Sequence, residues 1–218
     1  MGLKIHPLLY QEIRRLGFHV RDLILVQFLN LTTLSIFSFL LQEILILYPK
    51  VGVCFFWLTQ GSAILLLSDR LFSKDLNQGF FENIFNSSTS LSGFIGLRWF
   101  LFAVSFAMSS AVIMPISLTV LTLNLDLWVY FLLFIFPYTI LMMGYSSLLS
   151  LLTHGMRSYL MPILLFPITV PVLILVTSGS LGIDVKMCFL CIVALLLCVL
   201  PFILYLIKFI LQDIWESC

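Results

Sequence analysis

The chain has 218 residues, of which 61% are hydrophobic and 10% charged, with a formal net charge of +1 and a mean hydropathy of +1.16. Soluble domains carry about 25% charged residues, so a water-soluble fold is excluded and an integral membrane protein is indicated. The apolar stretches are long and continuous, which excludes the alternating strands of a membrane β-barrel, and no basic run points to nucleic acid.

Residues Lys4 to Val20 read as an amphipathic helix lying in the membrane surface. Ile5, Leu8, Leu9, Ile13, Leu16 and Val20 have helical spacing, and Lys4, Gln11, Arg14, Arg15 and His19 take the other positions. Pro7 is tolerated in a first helical turn. The first 22 residues carry charge throughout and lack an apolar core with a small-residue cleavage site, so no cleavable signal is expected.

Six spanning helices follow in expectation, at Leu23–Leu41, Val51–Leu67, Phe94–Ile113, Leu127–Ser147, Tyr159–Thr177 and Cys188–Phe209. Each is near the ~20 residues that cross the hydrocarbon layer. The second is expected to run past Ser68 into water. The third carries Ser105, Ser109 and Ser110, small residues that let helices pack closely. The fifth carries Pro162, Pro167 and Pro171, which should kink or break it. The expected fold is all-α and integral to the membrane, one domain over residues 1–218. It has an interfacial helix over 1–22 and a short cytoplasmic coupling helix within 68–90, between spans two and three.

Lys and Arg counts orient the bundle. With an even number of spans, one side holds Lys4, Arg14, Arg15, Arg21, Arg70, Lys74, Arg98, Arg157 and Lys208, and the other holds only Lys50 and Lys186. Basic residues stay inside, so both termini and the 68–90 segment face the cytoplasm, or the matrix if the membrane is mitochondrial. The turns at Gln42–Lys50, Asn124–Asp126 and Ser178–Lys186 leave no outer domain.

The ten acids all fall at helix ends or in loops, which argues against an ion-coupled transporter with a carboxylate at the midplane. Gly144-Tyr145-Ser146 and His154 resemble a nucleophile and base. Eight residues on one helix separate Ser146 and His154 by about 12 Å, too far for a dyad. His6, His19 and His154 are isolated in sequence, and neither a metal nor a bound cofactor is expected on this chain. Cys188 and Cys191 form a CxxC on one helical face, a spacing that more often buries two small hydrophobes than performs redox chemistry. No GxxxxGK[ST] occurs, so an ATP-driven protein of this kind needs a separate ATP-binding subunit.

The segment from Ser68 to Phe85 stands out against this apolar background. Phe72, Leu76, Phe80 and Ile84 recur every four residues, surrounded by Asp69, Arg70, Lys74, Asp75 and Glu82, with Gly79 allowing a helix end or a close backbone approach. Such an element can lie on the membrane and present its polar groups to a partner; an ordinary connecting loop is the alternative.

An interfacial helix, six spans and a cytoplasmic helix between spans two and three resemble the membrane subunits of ABC-2-type exporters. More narrowly, SDRLFSKDLNQGFFENI resembles the cytoplasmic segment of the haem exporter protein B family, the membrane subunit of the cytochrome c maturation system. Asp69, Arg70, Phe72, Asp75, Gly79 and Glu82 fall on that motif, with Asp69 where Glu is usual and Phe81 where Leu is usual. LLFPITVPVLILVTSG resembles the family's two-proline run, with Pro167 and Pro171 on the prolines and Phe166 in place of Leu. Arg98 and Asn124-Leu125-Asp126 agree as lesser points.

The resemblance implies an ABC ATPase subunit, in two copies, docked at Asp69–Glu82 and carrying the ATP and Mg. It implies a second copy of this chain, a Trp-rich haem-handling membrane protein and a haem chaperone on the outer face. It places the chain in the bacterial inner membrane, with the mitochondrial inner membrane as the alternative. Haem is then either the cargo of the complex, or is carried by a chaperone that the complex releases. Two other readings stay open: an ABC-2 permease for a lipid or drug, and a membrane scaffold that only assembles partners.

Overall fold

The computed structural model describes the backbone of residues 5–77, 91–152 and 160–217, and the side chains of residues 21–67, 93–149 and 169–210. Every described element is helical. In order these are α1 (Ile5–Leu40), α2 (Gln42–Leu47), α3 (Pro49–Asn77), α4 (Leu91–Val120), a 3-10 turn (Leu125–Leu127), α5 (Trp128–Leu152), α6 (Leu160–Ser180) and α7 (Val185–Ser217). Five stretches are long and apolar enough to cross a membrane: Arg21–Leu40, Pro49–Leu67, Gly93–Val120, Leu125–Leu149 and Val185–Ile210. In α6, the part with described side chains, Thr169–Ser180, is apolar but shorter; the whole helix has 21 residues, about 31 Å at 1.5 Å per residue.

Helix α5 is the hub. It packs against α3, α4, α6 and α7, and α1 closes one side against α3 and α4. Phe131, Phe134, Ile135, Tyr138, Leu141, Met142 and Met143 of α5 are all buried. Around them Phe56 and Trp57 of α3 meet Phe131, Phe56 edge-on at 5.0 Å and Trp57 stacked at 5.5 Å. Pro115, Pro137 and Pro201 lie inside α4, α5 and α7. A spanning helix tolerates this because neighbouring groups re-satisfy the freed carbonyls.

Three turns gather at one end of the bundle. They join α1 to α3 through α2, α4 to α5, and α6 to α7. Ser38 of α1 donates a hydrogen bond to the Val120 carbonyl at the end of α4, which fixes these ends side by side. Two of the turns use the same cap. After α4, Thr122 takes a left-handed φ of 57°, Leu123 N–H donates to Leu118 O and Thr122 N–H to Thr119 O. After α6, Gly182 takes φ 78°, with Ile183 N–H on Ser178 O and Gly182 N–H on Gly179 O. Both are Schellman caps.

Several boundaries differ from the sequence reading. No break separates a surface helix from the first span: α1 runs unbroken from Ile5 to Leu40, since residues 17–24 hold neither a proline nor a capping pattern that would end it. The Gln42–Lys50 connection contains helix α2. Helix α6 is continuous over Leu160–Ser180, so the prolines do not break it. Its last three turns keep the i to i−4 pattern, and each proline removes only the one donor opposite its own position.

Candidate functional site

Of the motif that resembles a docking segment, the structure describes the part up to Asn77. Asp69, Arg70, Phe72 and Asp75 lie on the final turns of α3, while Gly79 and Glu82 are outside the described residues. As expected, α3 runs past Ser68; over residues 69–77 the segment expected to form a separate coupling helix is continuous with it. Helix α3 is one rod of 29 residues, about 43 Å long, and its last ten residues extend about 15 Å beyond Leu67. Nothing between Gly61 and Asn77 stops a helix: there is no glycine or proline, and Ser68 alone is a weak breaker.

The buried part of α3 is tied to three other helices by hydrogen bonds. The first tie lies near the midpoints of its spans. Ser110 of α4 donates to Gln60 Oε1 of α3 at 3.2 Å and accepts from Gln27 Nε2 of α1 at 2.8 Å. Gln27 Nε2 also lies 3.3 Å from Ser109 Oγ. Gln27, Gln60 and Ser110 are each no more than 2% exposed, and Asn30, one turn beyond Gln27, is 5% exposed. The cluster carries unused capacity, because Gln27 Oε1 and Asn30 Nδ2 are buried without a partner. Amides buried in hydrocarbon are costly unless bonded, and this cluster joins α1, α3 and α4.

The second tie is at Trp57, whose indole N–H donates to Ser180 Oγ at the end of α6, 3.1 Å away. Both residues are fully buried. The third is from Tyr138 of α5, whose hydroxyl donates to the Trp57 carbonyl at 2.8 Å. A glycine makes that approach possible. A Cβ at Gly61 would stand 2.6 Å from the Tyr138 hydroxyl oxygen.

The prolines expected to act as a hinge are all on α6. Pro162 and Pro167 lie in its backbone without described side chains, and Pro171 is exposed. Pro167 and Pro171 leave the carbonyls of Ile163 and Pro167 without their usual helical donors. Asp69, Arg70, Phe72 and Asp75, expected to dock a partner, and the prolines are therefore on different helices. They connect through α3 and the Trp57–Ser180 bond rather than by meeting at one site.

Other chemistry is sparse in this region. Ser146 is buried and donates to Met143 O at 3.1 Å, while His154 lies outside the described residues. Cys188 is a free thiol that points its S–H at Ile183 O, and Cys191 is also free. Among the described residues no three His, Cys, Asp or Glu side chains come together as a metal site would need.

Sequence reasoning missed Gln27, Asn30, Gln60, Trp57, Tyr138 and Ser180. A signal existed for the amides, each an uncharged polar residue inside an apolar run. A search of the curated proteins finds no match. A family model described as CcmB protein matches residues 4–211, and the chain therefore belongs to the CcmB protein family, that of haem exporter protein B.

Proposed function

We propose that this chain is the permease subunit of an ATP-driven ABC complex for cytochrome c maturation, and that α3 carries force from the ATPase into the membrane. Membership of the family supports a multi-pass membrane subunit of a haem-export ABC system, without an ATPase activity of its own. The observation that carries the coupling step is the continuity of α3. One helix holds the Asp69–Asp75 end and, about 13 to 27 Å away along its axis, Gln60 and Trp57 with their bonds to α4, α5 and α6.

In this reading two ATPase subunits bind ATP and Mg and dock at Asp69, Arg70, Phe72, Asp75, Gly79 and Glu82 of two copies of the chain. Their closure pulls the α3 ends. Only a difference in fit between the partner's nucleotide states and this surface can drive the change. The rod transmits it to Gln60 and Trp57, where Ser110 and Ser180 can exchange partners. Helix α6, with carbonyls freed by Pro167 and Pro171, repacks at least cost. The complex has six spans per chain, with α6 as the fifth, both termini in the cytoplasm of a bacterial inner membrane, and a Trp-rich haem protein and a haem chaperone as neighbours. Haem passes as cargo of the complex or leaves on the released chaperone.

The test is co-purification in mild detergent, with haem followed by absorbance. Recovery of an ATPase with a phosphate-binding loop and of a haem-handling membrane protein is expected. Glu82→Ala and Gly79→Trp should leave the chain in the membrane while cytochrome maturation stops. Normal maturation in both variants would overturn the docking assignment.

A further inference from the structure

At the end of the bundle where the three turns gather, a groove opens between α1, α3 and α6. It is lined by Phe37 of α1, by Lys50, Val51, Phe55 and Leu58 of α3, and by Thr177 of α6, and it holds about 350 Å³. That is within the ~300–1,000 Å³ of ligand pockets. Its wall is apolar and preformed: the rings of Phe37 and Phe55 stack at 3.5 Å, nearly parallel at 9°.

Depth and charge specify the occupant. Lys50 is the second residue of α3, at the level where a spanning helix meets the headgroups, and it is exposed. It forms no ion pair or side-chain hydrogen bond among the described residues. Leu58 lies eight residues further on, about 12 Å deeper. The groove therefore begins at a bare cation and runs down into hydrocarbon. A cation at headgroup depth above an apolar wall matches the two ends of an anionic lipid, a charged headgroup and an acyl chain.

We propose that this groove is a binding site for an anionic phospholipid, with its phosphate on Lys50 Nζ and one acyl chain against Phe37, Phe55 and Leu58. The other lysine of this face is a natural control. Lys186 lines a separate groove together with Asp184, so the carboxylate offsets its attraction for an anion. A lipid held at the first turns of α3 sits at the opposite end of the rod from Asp69, yet the site stands on its own lining and needs no ATPase.

The full chain should be purified in mild detergent, placed in nanodiscs of equal phosphatidylglycerol and phosphatidylcholine, and the retained lipid identified by native mass spectrometry. Phosphatidylglycerol should be retained in preference. Lys50→Gln should weaken that retention about fivefold, equivalent to the ~1 kcal/mol that one surface lysine contributes, and Lys186→Gln should leave it unchanged. Leu58→Trp, which fills the deep half, should expel the lipid regardless of headgroup. Equal retention of both lipids by the natural chain would overturn the proposal. So would equal losses in Lys50→Gln and Lys186→Gln, or retention of free inorganic phosphate that Leu58→Trp does not affect.

Discussion

Gly179 of α6 lies flat against the ring of Phe134 of α5: a methyl group at position 179 would overlap three atoms of that ring. Phe134 is fully buried and meets Phe189 of α7 edge-on at 6.1 Å, so it has nowhere to turn. The pair sets the distance between the hub and the helix that carries the prolines. Overpacking of this kind costs about 1–3 kcal/mol. Gly179→Ala is expected to lower the melting temperature in detergent by several degrees, and Gly179→Ala with Phe134→Leu to recover most of it. Gly96→Ala, where nothing lies within 4 Å, is the control and should not fall. An unshifted Gly179→Ala would mean the two helices separate more easily than this contact implies.

Ser110 joins two amides that have no water to turn to. Intramembrane hydrogen bonds average ~0.6 kcal/mol with a maximum near 1.7, and Ser110→Ala removes two while leaving Gln60 Oε1 unsatisfied. A loss of about 1–2 kcal/mol is expected. Gln60→Leu together with Ser110→Ala should be more stable than Ser110→Ala alone, because removing both partners removes the orphan. A double-mutant cycle by thermal unfolding decides it. Strict additivity of the two substitutions would show that the bond is not formed.

Much of this was readable in the sequence. Hydrocarbon-length apolar runs predict six spans, because a helix is the one structure that satisfies its own backbone in lipid, and five described stretches are long and apolar enough to cross. The continuity of α3 was readable too: Ser68 is a residue that a helix accepts at small cost, and Gly79, the next glycine after Gly61, lies outside the described residues. The change of composition at Ser68 does not end the helix. The pairing of Gln60 with Ser110, or of Trp57 with Ser180, was not readable. It depends on the register between helices 50 and 123 residues apart, and apolar periodicity carries no information about that register. The two-proline run pointed to a hinge, but its neighbours on α5 and α3 became visible only with the fold.

Thr122 closes α4 in a conformation that suits glycine. With φ at 57° its β-branched side chain carries a penalty of about 1–2 kcal/mol, while the backbone bonds of the cap come from Leu123 and from Thr122 itself. The cap after α6 uses Gly182 at the same position. Thr122→Gly should therefore keep the cap and raise stability by about 1 kcal/mol, read as a higher melting temperature. Thr122→Val, which retains the branch and loses the hydroxyl, should not gain. A lower melting temperature in Thr122→Gly would mean that the threonine side chain contributes more than its strained backbone costs.

The rod itself can be tested at the end of its apolar stretch. Leu66→Gly with Ser68→Gly softens α3 on either side of Leu67, its last described buried residue, each glycine costing about 1 kcal/mol in a helix interior. Leu66→Ala with Ser68→Ala removes the same side chains but favours the helix. Neither pair touches Asp69, Arg70, Phe72 or Asp75, so the ATPase should bind both variants and hydrolyse ATP. If force travels along a continuous helix, c-type cytochromes should disappear in the glycine pair and persist in the alanine pair. If instead the partner acts through a flexible contact, a soft joint at 66–68 is harmless and the two pairs behave alike. The contrast between them separates stiffness from side-chain chemistry, which neither pair could do alone.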